Sequence, residues 1–488
     1  MKNIHLILTL LLIQTIFISC GSEVNEIAPP EPVMPIPSAA QMDWHEMEMI
    51  AFLHFTTNTF TNKEWGYGDE SPSIFNPTEL DVDQWMTTLK EAGFKGVILT
   101  AKHHDGFCLW PSEYTEHDVA NSPYKNGNGD IVKEVSEAAR EHGLKFGVYL
   151  SPWDRNHADY GDPSYIDYYR NQLEEIFTDY GPVFEMWFDG ANGGDGYYGG
   201  ANETRTIDRQ TYYDWPTTID FVRELQPEPK VLFFSDAGPD IRWVGNEHGV
   251  VAETNWNTIN NDTLYAGQAG INDLLATGSE DGTKWIPAEV DVSIRPGWFY
   301  HPEEDDEVKS PEKLFEIYMT SVGRGSTLLL NIPPDRRGLL HENDVAALKE
   351  WRTMLDETFS TNIAAGAEVT ADSYRGEFDI YHPNHITDDD HETYWTTGNG
   401  IPTGVLEIDL GDEKEISYVV LQEYIRLGQR IRSFSVDVWQ NDEWQNIAEA
   451  TTMGYKRILD VGPVTTNRIR ININDSKASP IVSNVEVY

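Results

Sequence analysis

The sequence contains little cysteine and little positive charge. Two of its 488 residues are cysteines, and Cys20 falls within an N-terminal signal, so only Cys108 remains and no internal disulfide can form. Stability must therefore come from hydrophobic cores. Lysine and arginine number 35 against 81 aspartates and glutamates, which gives a net charge of −46. A charge of this sign and size argues against nucleic acid and anionic lipid surfaces as partners.

The N-terminus lacks an apolar stretch long enough for a confident membrane span. Lys2 precedes an apolar run over residues 4–18, which ends just before Cys20. This pattern predicts a bacterial lipoprotein-type signal peptide over residues 1–20, with cleavage before Cys20 and lipidation of its thiol. Ordinary secretion is the alternative. Residues 21–41 predict a Pro-rich extended tether. We expect the protein in the bacterial cell envelope, in the periplasm or on the outer surface, touching the membrane only through the lipid anchor.

Residues 42–358 alternate between strand-like and helical patterns, with amphipathic segments such as 131–142 and 165–180 between short apolar runs. Eight strands separated by helices predict a (β/α)8 TIM-like barrel. An open doubly wound sheet is the alternative, but it needs a Gly-rich phosphate turn after the first strand, and His54–Phe60 contains no glycine. The predicted strands are 50–55, 96–102, 145–151, 183–189, 231–235, 250–254, 285–293 and 326–332.

Residues 359–488 lack helical periodicity. Short runs rich in valine, isoleucine and aromatic residues recur between Gly, Asp and Asn turns, a pattern typical of an antiparallel β-sandwich. A family pattern is carried by the segments Asn362–Ala371, Ile386–Trp395 and Leu406–Gly411. It resembles the discoidin-like, carbohydrate-binding type of β-sandwich. The sequence around Asp388 and Asp390 is typical of a calcium loop, because hard cations need several oxygen ligands. An acidic turn is the alternative.

One carboxylate stands at the end of an apolar, aromatic run. Residues 183–188 predict a buried parallel strand, and Asp189 emerges where the backbone turns at Gly190. A buried carboxylate costs desolvation energy unless a function uses it. In a β/α barrel the C-terminal ends of the strands carry the chemistry. An aspartate that caps the following turn is the alternative.

Other polar and aromatic residues fall on or near the ends of further predicted strands: His54, His103, His104, Tyr149, Trp187 and Glu289. One chemistry for this rim is a metal site of the three histidines with Asp189, although adjacent histidines on a strand point to opposite faces. The other is a glycosidase. A glycosidase needs two carboxylates across the sugar bond, aromatic walls for apolar sugar faces and groups such as histidines that donate to hydroxyls. This rim contains all three.

Longer motifs identify a family. They are His54–Phe60, Glu64–Gly66, Ala101–Phe107, Trp187–Gly190 and Ser293–Tyr300. In their composition and order they resemble the α-L-fucosidases of glycoside hydrolase family 29. The segment Pro287–Trp298 resembles the subfamily that is specific for α-1,3- and α-1,4-linked fucose.

The resemblance implies a retaining mechanism with Asp189 as nucleophile and Glu289 as general acid/base. Asp291, on the same face of the strand as Glu289, and Glu253 are the competitors for the second role. Retention requires two carboxyl groups about 5–5.5 Å apart, and an ionised nucleophile raises the pKa of its partner. For Arg242, a surface ion pair is the alternative role. The resemblance assigns substrate contacts to His54, Glu64, Trp65, His103, His104, Tyr149, Trp187, Arg242 and Trp298.

The function that the resemblance implies is a retaining exo-α-L-fucosidase that releases α-1,3/1,4-linked terminal fucose from branched Lewis-type glycans. A broad-specificity fucosidase, a transfucosidase and a lipid-anchored glycan-binding protein on an inactive barrel are the alternatives. The presence of both carboxylates favours an enzyme. The resemblance implies no cofactor and no metal in the barrel, and the sandwich is the place for a structural calcium. The sequence leaves the oligomeric state open.

Overall fold

The computed structural model describes residues 28–488, so the predicted signal peptide and the lipidation site at Cys20 lie outside the described residues. The described chain forms a closed barrel of eight parallel strands followed by an antiparallel β-sandwich, which confirms the predicted fold class. None of the helices in residues 28–488 has the length and hydrophobicity that crossing a membrane requires.

Twelve strands precede the sandwich. They are β1 (Met49–Leu53), β2 (Gly96–Lys102), β3 (Lys145–Leu150), β4 (Glu185–Trp187), β5 (Gly194–Gly196), β6 (Glu203–Arg205), β7 (Leu232–Ser235), β8 (Ile241–Trp243), β9 (Thr258–Ile259), β10 (Lys284–Trp285), β11 (Ala288–Ser293) and β12 (Thr327–Asn331). The barrel runs β1-β12-β11-β8-β7-β4-β3-β2, and β1 closes it by pairing in parallel with both β2 and β12. The pairs β5–β6 and β9–β10 are small antiparallel ladders outside the barrel.

Helices connect most of the barrel strands. Asp81 and Asp130 accept the first free backbone N–H groups of two of these helices, and Gly143 ends the second with a positive φ of 75°, as capping chemistry leads one to expect. The helices are α1 (Ala39–His45), α2 (Thr57–Thr61), α3 (Val82–Glu91), α4 (Ile131–His142), α5 (Ser164–Asp179), α6 (Trp215–Leu225), α7 (Asn272–Thr277), α8 (Pro311–Thr320) and α9 (Glu342–Thr358).

The sixth barrel strand differs from its prediction. The sequence pattern favoured residues 250–254, but the strand is β8, Ile241–Trp243, and residues 250–254 run as irregular chain. This strand has only three residues, and the charged Arg242 in its middle hides its apolar pattern. The shift matters for function because it moves residues 244–249 from the bottom of the barrel to the rim that carries the chemistry.

Two apolar layers hold the barrel together. The larger lies between the strands and the surrounding helices and includes the fully buried Trp85 and Trp351. The smaller fills the barrel interior, where Trp44 from α1 closes the bottom and Phe52, Trp187 and Phe234 stack above it. The interior is thus a packed core, and it leaves a cavity only at the rim.

The sandwich contains seven strands around one core. Val436, Ile469 and Ile471 are among the buried residues of that core. Register shifts near Asp409 and Ile416 interrupt the pairing of the two longest strands, which bend there. The strands are β13 (Glu368–Ala371), β14 (Trp395–Thr396), β15 (Gly404–Glu423), β16 (Ile431–Gln440), β17 (Glu443–Ala450), β18 (Arg457–Ser476) and β19 (Ile481–Val487).

The sandwich packs against the segment that follows β8. Gln429 is buried between the domains, where its amide accepts from the Asn257 N–H at 2.8 Å and donates to the Asn255 carbonyl at 2.9 Å. The Lys477 ammonium lies 4.1 Å from the ring centroid of Trp256. Buried amide pairs of this kind fix the orientation of the domains, because an unpaired group would carry its full desolvation cost.

The segment before α1 lies against the sandwich. Arg375 donates to the Ala28 carbonyl at 3.0 Å and Arg430 donates to the Glu31 carbonyl at 2.7 Å. The Val33 N–H donates to the Leu427 carbonyl at 2.9 Å. The predicted tether over residues 21–41 is therefore corrected for its described part, because residues 28–37 are held by the sandwich and residues 39–45 form α1.

We expect Gly428→Ala to destabilise the protein more than Gly411→Ala. Both glycines have positive φ, 91° and 77°, and Gly428, with ψ 151°, lies in a region that is essentially restricted to glycine and costs another residue about 1–3 kcal/mol. A Cβ on Gly428 would lie 1.9 Å from the Val33 carbonyl oxygen, whereas one on Gly411 meets nothing within 4 Å. The extra loss should be about 1–3 kcal/mol, measured by urea unfolding. Equal losses would mean that the Val33 contact contributes nothing.

Candidate active site

A blind cavity of about 360 Å³ opens at the C-terminal ends of the barrel strands. Its volume falls in the range of ordinary small-molecule sites. Nine of the eleven residues predicted for the site line it. The lining residues are Phe52, His54, Glu64, Trp65, His103, His104, Tyr149, Trp187, Asp189, Ala191, Glu247, Asp291 and Trp298.

Asp189 lies just after β4, and its side chain is 23 % exposed. One carboxylate oxygen accepts the Tyr149 hydroxyl at 2.9 Å and the other accepts the Ala191 N–H at 2.6 Å. Burial raises the pKa of Asp189, and these two donors oppose that rise. The donors stabilise the ionised form, which is the form that a nucleophile requires.

Three histidines line one side of the cavity in their neutral form. Burial lowers the pKa of His54 and of His104 to about 3 and holds the pKa of His103 well below its usual value. The Nδ1 atom of His103 has no hydrogen-bond partner among the described residues.

Asn331 and Ser151 determine which ring nitrogens of His54 and His104 are protonated. The Asn331 amide donates to Ser293 and to the Trp298 carbonyl, so its oxygen accepts from His54 Nδ1 at 2.8 Å. Ser151 donates to the Trp153 carbonyl and therefore accepts from His104 Nδ1 at 2.7 Å. Both imidazoles thus carry the proton on Nδ1, which leaves Nε2 as an acceptor; His104 Nε2 lies 3.7 Å from Asp189 Oδ2. For His104 this differs from the expectation that the paired histidines donate to sugar hydroxyls, because its Nε2 then offers a lone pair and no proton.

Aromatic rings form the floor and the mouth of the cavity. On the floor, Trp187 stacks on Phe234 with centroids 4.0 Å apart and on Tyr149 at 5.4 Å. At the mouth, Trp65 is 52 % exposed and packs edge-on against His104. An exposed tryptophan beside a polar cavity provides an apolar face for a sugar ring.

Glu64 holds one wall of the cavity in place. Its carboxylate accepts the backbone N–H groups of Trp298 and Phe299 at 2.9 and 3.2 Å and contacts His301 Nε2 at 2.6 Å. The loop that follows β11 is therefore fixed with the Trp298 ring at the cavity.

Glu247 is a functional candidate that the sequence reasoning missed. It lies in the loop after β8, lines the cavity and accepts the Trp298 indole N–H at 3.3 Å. Partial burial and the negative charge of Asp189 raise its pKa, against the opposing effect of that hydrogen bond. The signal that would have found it is its position four residues after the true sixth strand, at the rim where barrel enzymes place reactive groups.

The barrel and the sandwich each match a known family. The alpha-L-fucosidase family model matches residues 33–357, and the F5/8 type C domain model matches residues 368–487. The chain belongs to the alpha-L-fucosidase family. It is therefore a glycoside hydrolase with a discoidin-like C-terminal domain.

Individual relatives agree with this assignment. The chain is 40 % identical to alpha-L-fucosidase 1 of Arabidopsis thaliana over 94 % of its own length and 88 % of that protein. A glycoside hydrolase 29 family member from an unknown rumen bacterium is 44 % identical, with a TM-score of 0.84 over 94 % of this chain and 78 % of that one. A Ruminococcus gnavus GH29 fucosidase in complex with fucose is 34 % identical, with a TM-score of 0.83 over 95 % and 96 % of the two chains.

Glu289 does not lie where a fucosidase acid/base is needed. It is the second residue of β11, its side chain is completely buried, and it does not line the cavity. Its carboxyl accepts the Trp187 indole N–H at 2.9 Å from below the cavity floor. The expectation that Glu289 faces the sugar is corrected. The alternation of side chains along a strand predicts the face on which a residue lies, but it does not predict how deep in the barrel that residue is.

Arg242 and Glu253 also lie away from the cavity. The Arg242 guanidinium is fully buried outside the barrel interior and donates to the carbonyls of Leu275, Ile286 and Trp256 and to Asn255. It therefore holds loops together and contacts no substrate. The Glu253 side chain is exposed and pairs with Arg324 and Arg457.

Within residues 28–488, no group of three or more His, Cys, Asp or Glu side chains is arranged to hold a metal ion. Asp388 accepts from His385, Asp390 N–H and Thr393 in an acidic turn. A calcium ion near Asp388 and Asp390 stays a prediction.

Tyr149→Phe should move the acidic limb of the pH profile of kcat/KM upward by about 1–2 pH units. Loss of the hydroxyl donor to Asp189 removes a hydrogen bond to a charged group, worth about 1.5–3 kcal/mol. The pKa of the carboxyl therefore rises, and activity at acid pH falls. The limb is measured with an aryl α-L-fucoside. Tyr169→Phe is the matched control, since its buried hydroxyl donates to the Leu150 carbonyl; equal limbs in both variants would contradict the role of Tyr149.

Proposed function

We propose that this protein is a retaining exo-α-L-fucosidase with Asp189 as nucleophile. The observation that carries the proposal is the Asp189 carboxylate, which lies in a blind cavity between two hydrogen-bond donors. A cavity closed at its floor by Trp187 accepts a terminal sugar and excludes the middle of a chain. The apolar C6 methyl of fucose suits the aromatic rings, and its hydroxyls suit the neutral imidazoles.

We assign the general acid/base to Glu247 in place of Glu289. A general acid must be protonated, must reach the leaving oxygen and must afterwards reach water. Glu247 meets these needs because its pKa is raised and it lies on an exposed loop at the cavity mouth. Asp291 also lines the cavity, but it is only 3 % exposed and its carboxyl accepts the Trp243 indole N–H at 2.8 Å.

The reaction then proceeds in two displacements. Asp189 attacks the anomeric carbon while the bond to the leaving oxygen breaks and Glu247 gives that oxygen its proton. In the second step the Glu247 carboxylate takes a proton from water, and the water oxygen attacks the anomeric carbon and displaces Asp189. Glu247 recovers its proton, the product keeps the α configuration, and no cofactor takes part.

Azide should distinguish the two carboxyl roles. Glu247→Ala should lower kcat by about 10²–10⁴-fold on an unactivated fucoside, and azide should restore turnover of an aryl fucoside as the α-fucosyl azide. In Asp189→Ala, azide should take the place of the nucleophile and form the β-fucosyl azide. Product configuration is read by NMR. Asp291→Asn is the matched control, and azide rescue of that variant in place of Glu247→Ala would overturn the assignment.

We further propose α-1,3/1,4-linked fucose on branched Lewis-type glycans as the substrate. The support is the resemblance of Pro287–Trp298 to the corresponding subfamily, together with a cavity lined in part by the exposed Trp65 and Glu247. These side chains are available to a second sugar that branches beside the fucose.

A Lewis-type trisaccharide should be cleaved with kcat/KM about 10²-fold higher than α-1,2-fucosyllactose, because contacts to the branching sugar are worth about 1–3 kcal/mol. Released L-fucose is measured with protein that begins after Cys20, and Asp189→Ala is the blank. Comparable release from both substrates would contradict the linkage proposal and leave the fucosidase intact. Transfer of fucose to an added sugar in preference to water would favour the transfucosidase.

We also propose that the mature protein is anchored to the cell envelope by a lipid on Cys20. The support is the apolar run that ends at this cysteine. The segment lies outside the described residues.

A further inference from the structure

Two carboxyl groups face each other in the barrel interior below the cavity. Glu185 of β4 and Glu289 of β11 are both completely buried, and they lie close enough for the negative charge of Glu185 to raise the pKa of Glu289, after the larger effect of burial. The Trp44 indole N–H donates to Glu185 Oε2 at 3.1 Å, and the Trp187 indole N–H donates to Glu289 Oε1 at 2.9 Å. The other oxygen of each carboxyl, Glu185 Oε1 and Glu289 Oε2, has no donor among the described residues.

Among residues 28–488, no positive charge compensates the pair in its surroundings. The neighbouring interior side chains come from α1, β1, β7, β8 and β12, and they are aromatic or aliphatic: Trp44, Phe52, Leu232, Phe234, Ile241 and Leu329. The titratable groups that face this region are Asp291, which adds negative charge from the next level of β11, and Tyr149 of β3. Two ionised carboxylates in contact in such a place would repel each other strongly.

We propose that Glu185 and Glu289 share one proton in the active protein and that this pair positions Trp187 in the cavity floor. One proton between the two carboxyls gives both unpaired oxygens a partner. The remaining oxygens stay available as acceptors for the two indole N–H groups. Glu289 is on this basis a positioning residue, which acts through Trp187 and does not touch the sugar.

The pair is linked to the reacting group through one contact chain. Glu289 fixes the Trp187 indole, Trp187 stacks on Tyr149 at 5.4 Å, and the Tyr149 hydroxyl donates to Asp189. A tilt of the indole would therefore change both the surface that meets the sugar and the donor that holds Asp189.

Folding should take up one proton because of this pair. Burial raises the pKa of both Glu185 and Glu289 above the usual value, and the negative charge of Glu185 adds to the rise for Glu289, whereas both glutamates ionise near 4.3 in the unfolded chain. With one proton shared by the pair, the folded state holds one proton more than the unfolded state from about pH 4.3 up to the pH at which the shared proton dissociates. The stability contributed by the pair is therefore full below this window and declines as the pH rises through it.

Glu289→Gln tests the shared proton. The glutamine amide can donate to Glu185 and its oxygen can accept from Trp187, so the network no longer needs a proton. We expect the pH slope of the unfolding free energy between pH 6 and 8, measured in urea, to change by one proton relative to the wild type. Glu185→Gln should give the same change, and the exposed Glu443→Gln should give none. Wild-type slopes in both buried variants would overturn the proposal.

Glu289→Ala tests the positioning role of Glu289. Only the turnover measurement in this test rests on the proposed function. Loss of the acceptor for Trp187 should weaken L-fucose binding about tenfold in a calorimetric titration, and Glu289→Gln should restore it to within about threefold. Binding of fucose requires no hydrolysis, so an inactive protein would still give this result. Glu289→Gln could instead bind fucose normally and yet lose as much turnover as Glu289→Ala. Glu289 would then be a catalytic residue, and the proposal would be overturned. Should Glu289→Ala fail to fold, the proton count of the two glutamine variants decides.

Discussion

Pairing between β1 and β12 closes the barrel, and the active site depends on that closure. The same contact continues above the strands, where His54 and Asn331 hydrogen-bond at 2.8 Å. Closure brings the C-terminal ends of all eight strands to one rim, so that Asp189 after β4 and Glu247 after β8 share one cavity. In an open sheet the edge strands would be far apart, and the histidine wall would face solvent without its second-layer acceptors.

Within the barrel, depth and available donors decide the charge of each carboxyl. Asp189 lies at the cavity with a hydroxyl and a backbone N–H aimed at it, which favours the ionised form. Burial raises the pKa of Asp291, against the opposing effect of the Trp243 indole N–H that its carboxyl accepts. Lower down, Glu185 and Glu289 have only each other and two indoles. Carboxyl groups thus supply a nucleophile at one level and, on our proposal, a proton-sharing structural pair at the next.

The sandwich supports the irregular side of the barrel. Between β8 and β9 the chain runs through a long loop that contains Glu247 and lies against the sandwich at residues 255–257. Gln429 and Lys477 contact this loop where helices cover the rest of the barrel. The second domain therefore contributes to the position of the loop that carries the proposed acid/base.

The sequence alone determined the barrel, the sandwich and most of the cavity lining, because apolar periodicity and long local motifs depend on neighbours along the chain. It placed Asp189, the histidines and the aromatic residues correctly at the rim. It misplaced the sixth strand, since the three residues of β8 with a central arginine carry no readable pattern, and with that strand it lost Glu247. The alternation of side chains along a strand could not predict how deep in the barrel Glu289 lies. The sequence also could not predict the hydrogen-bond partners of Arg242. Only the tertiary structure decided these points, because depth, burial and hydrogen-bond partners come from residues that are distant in sequence.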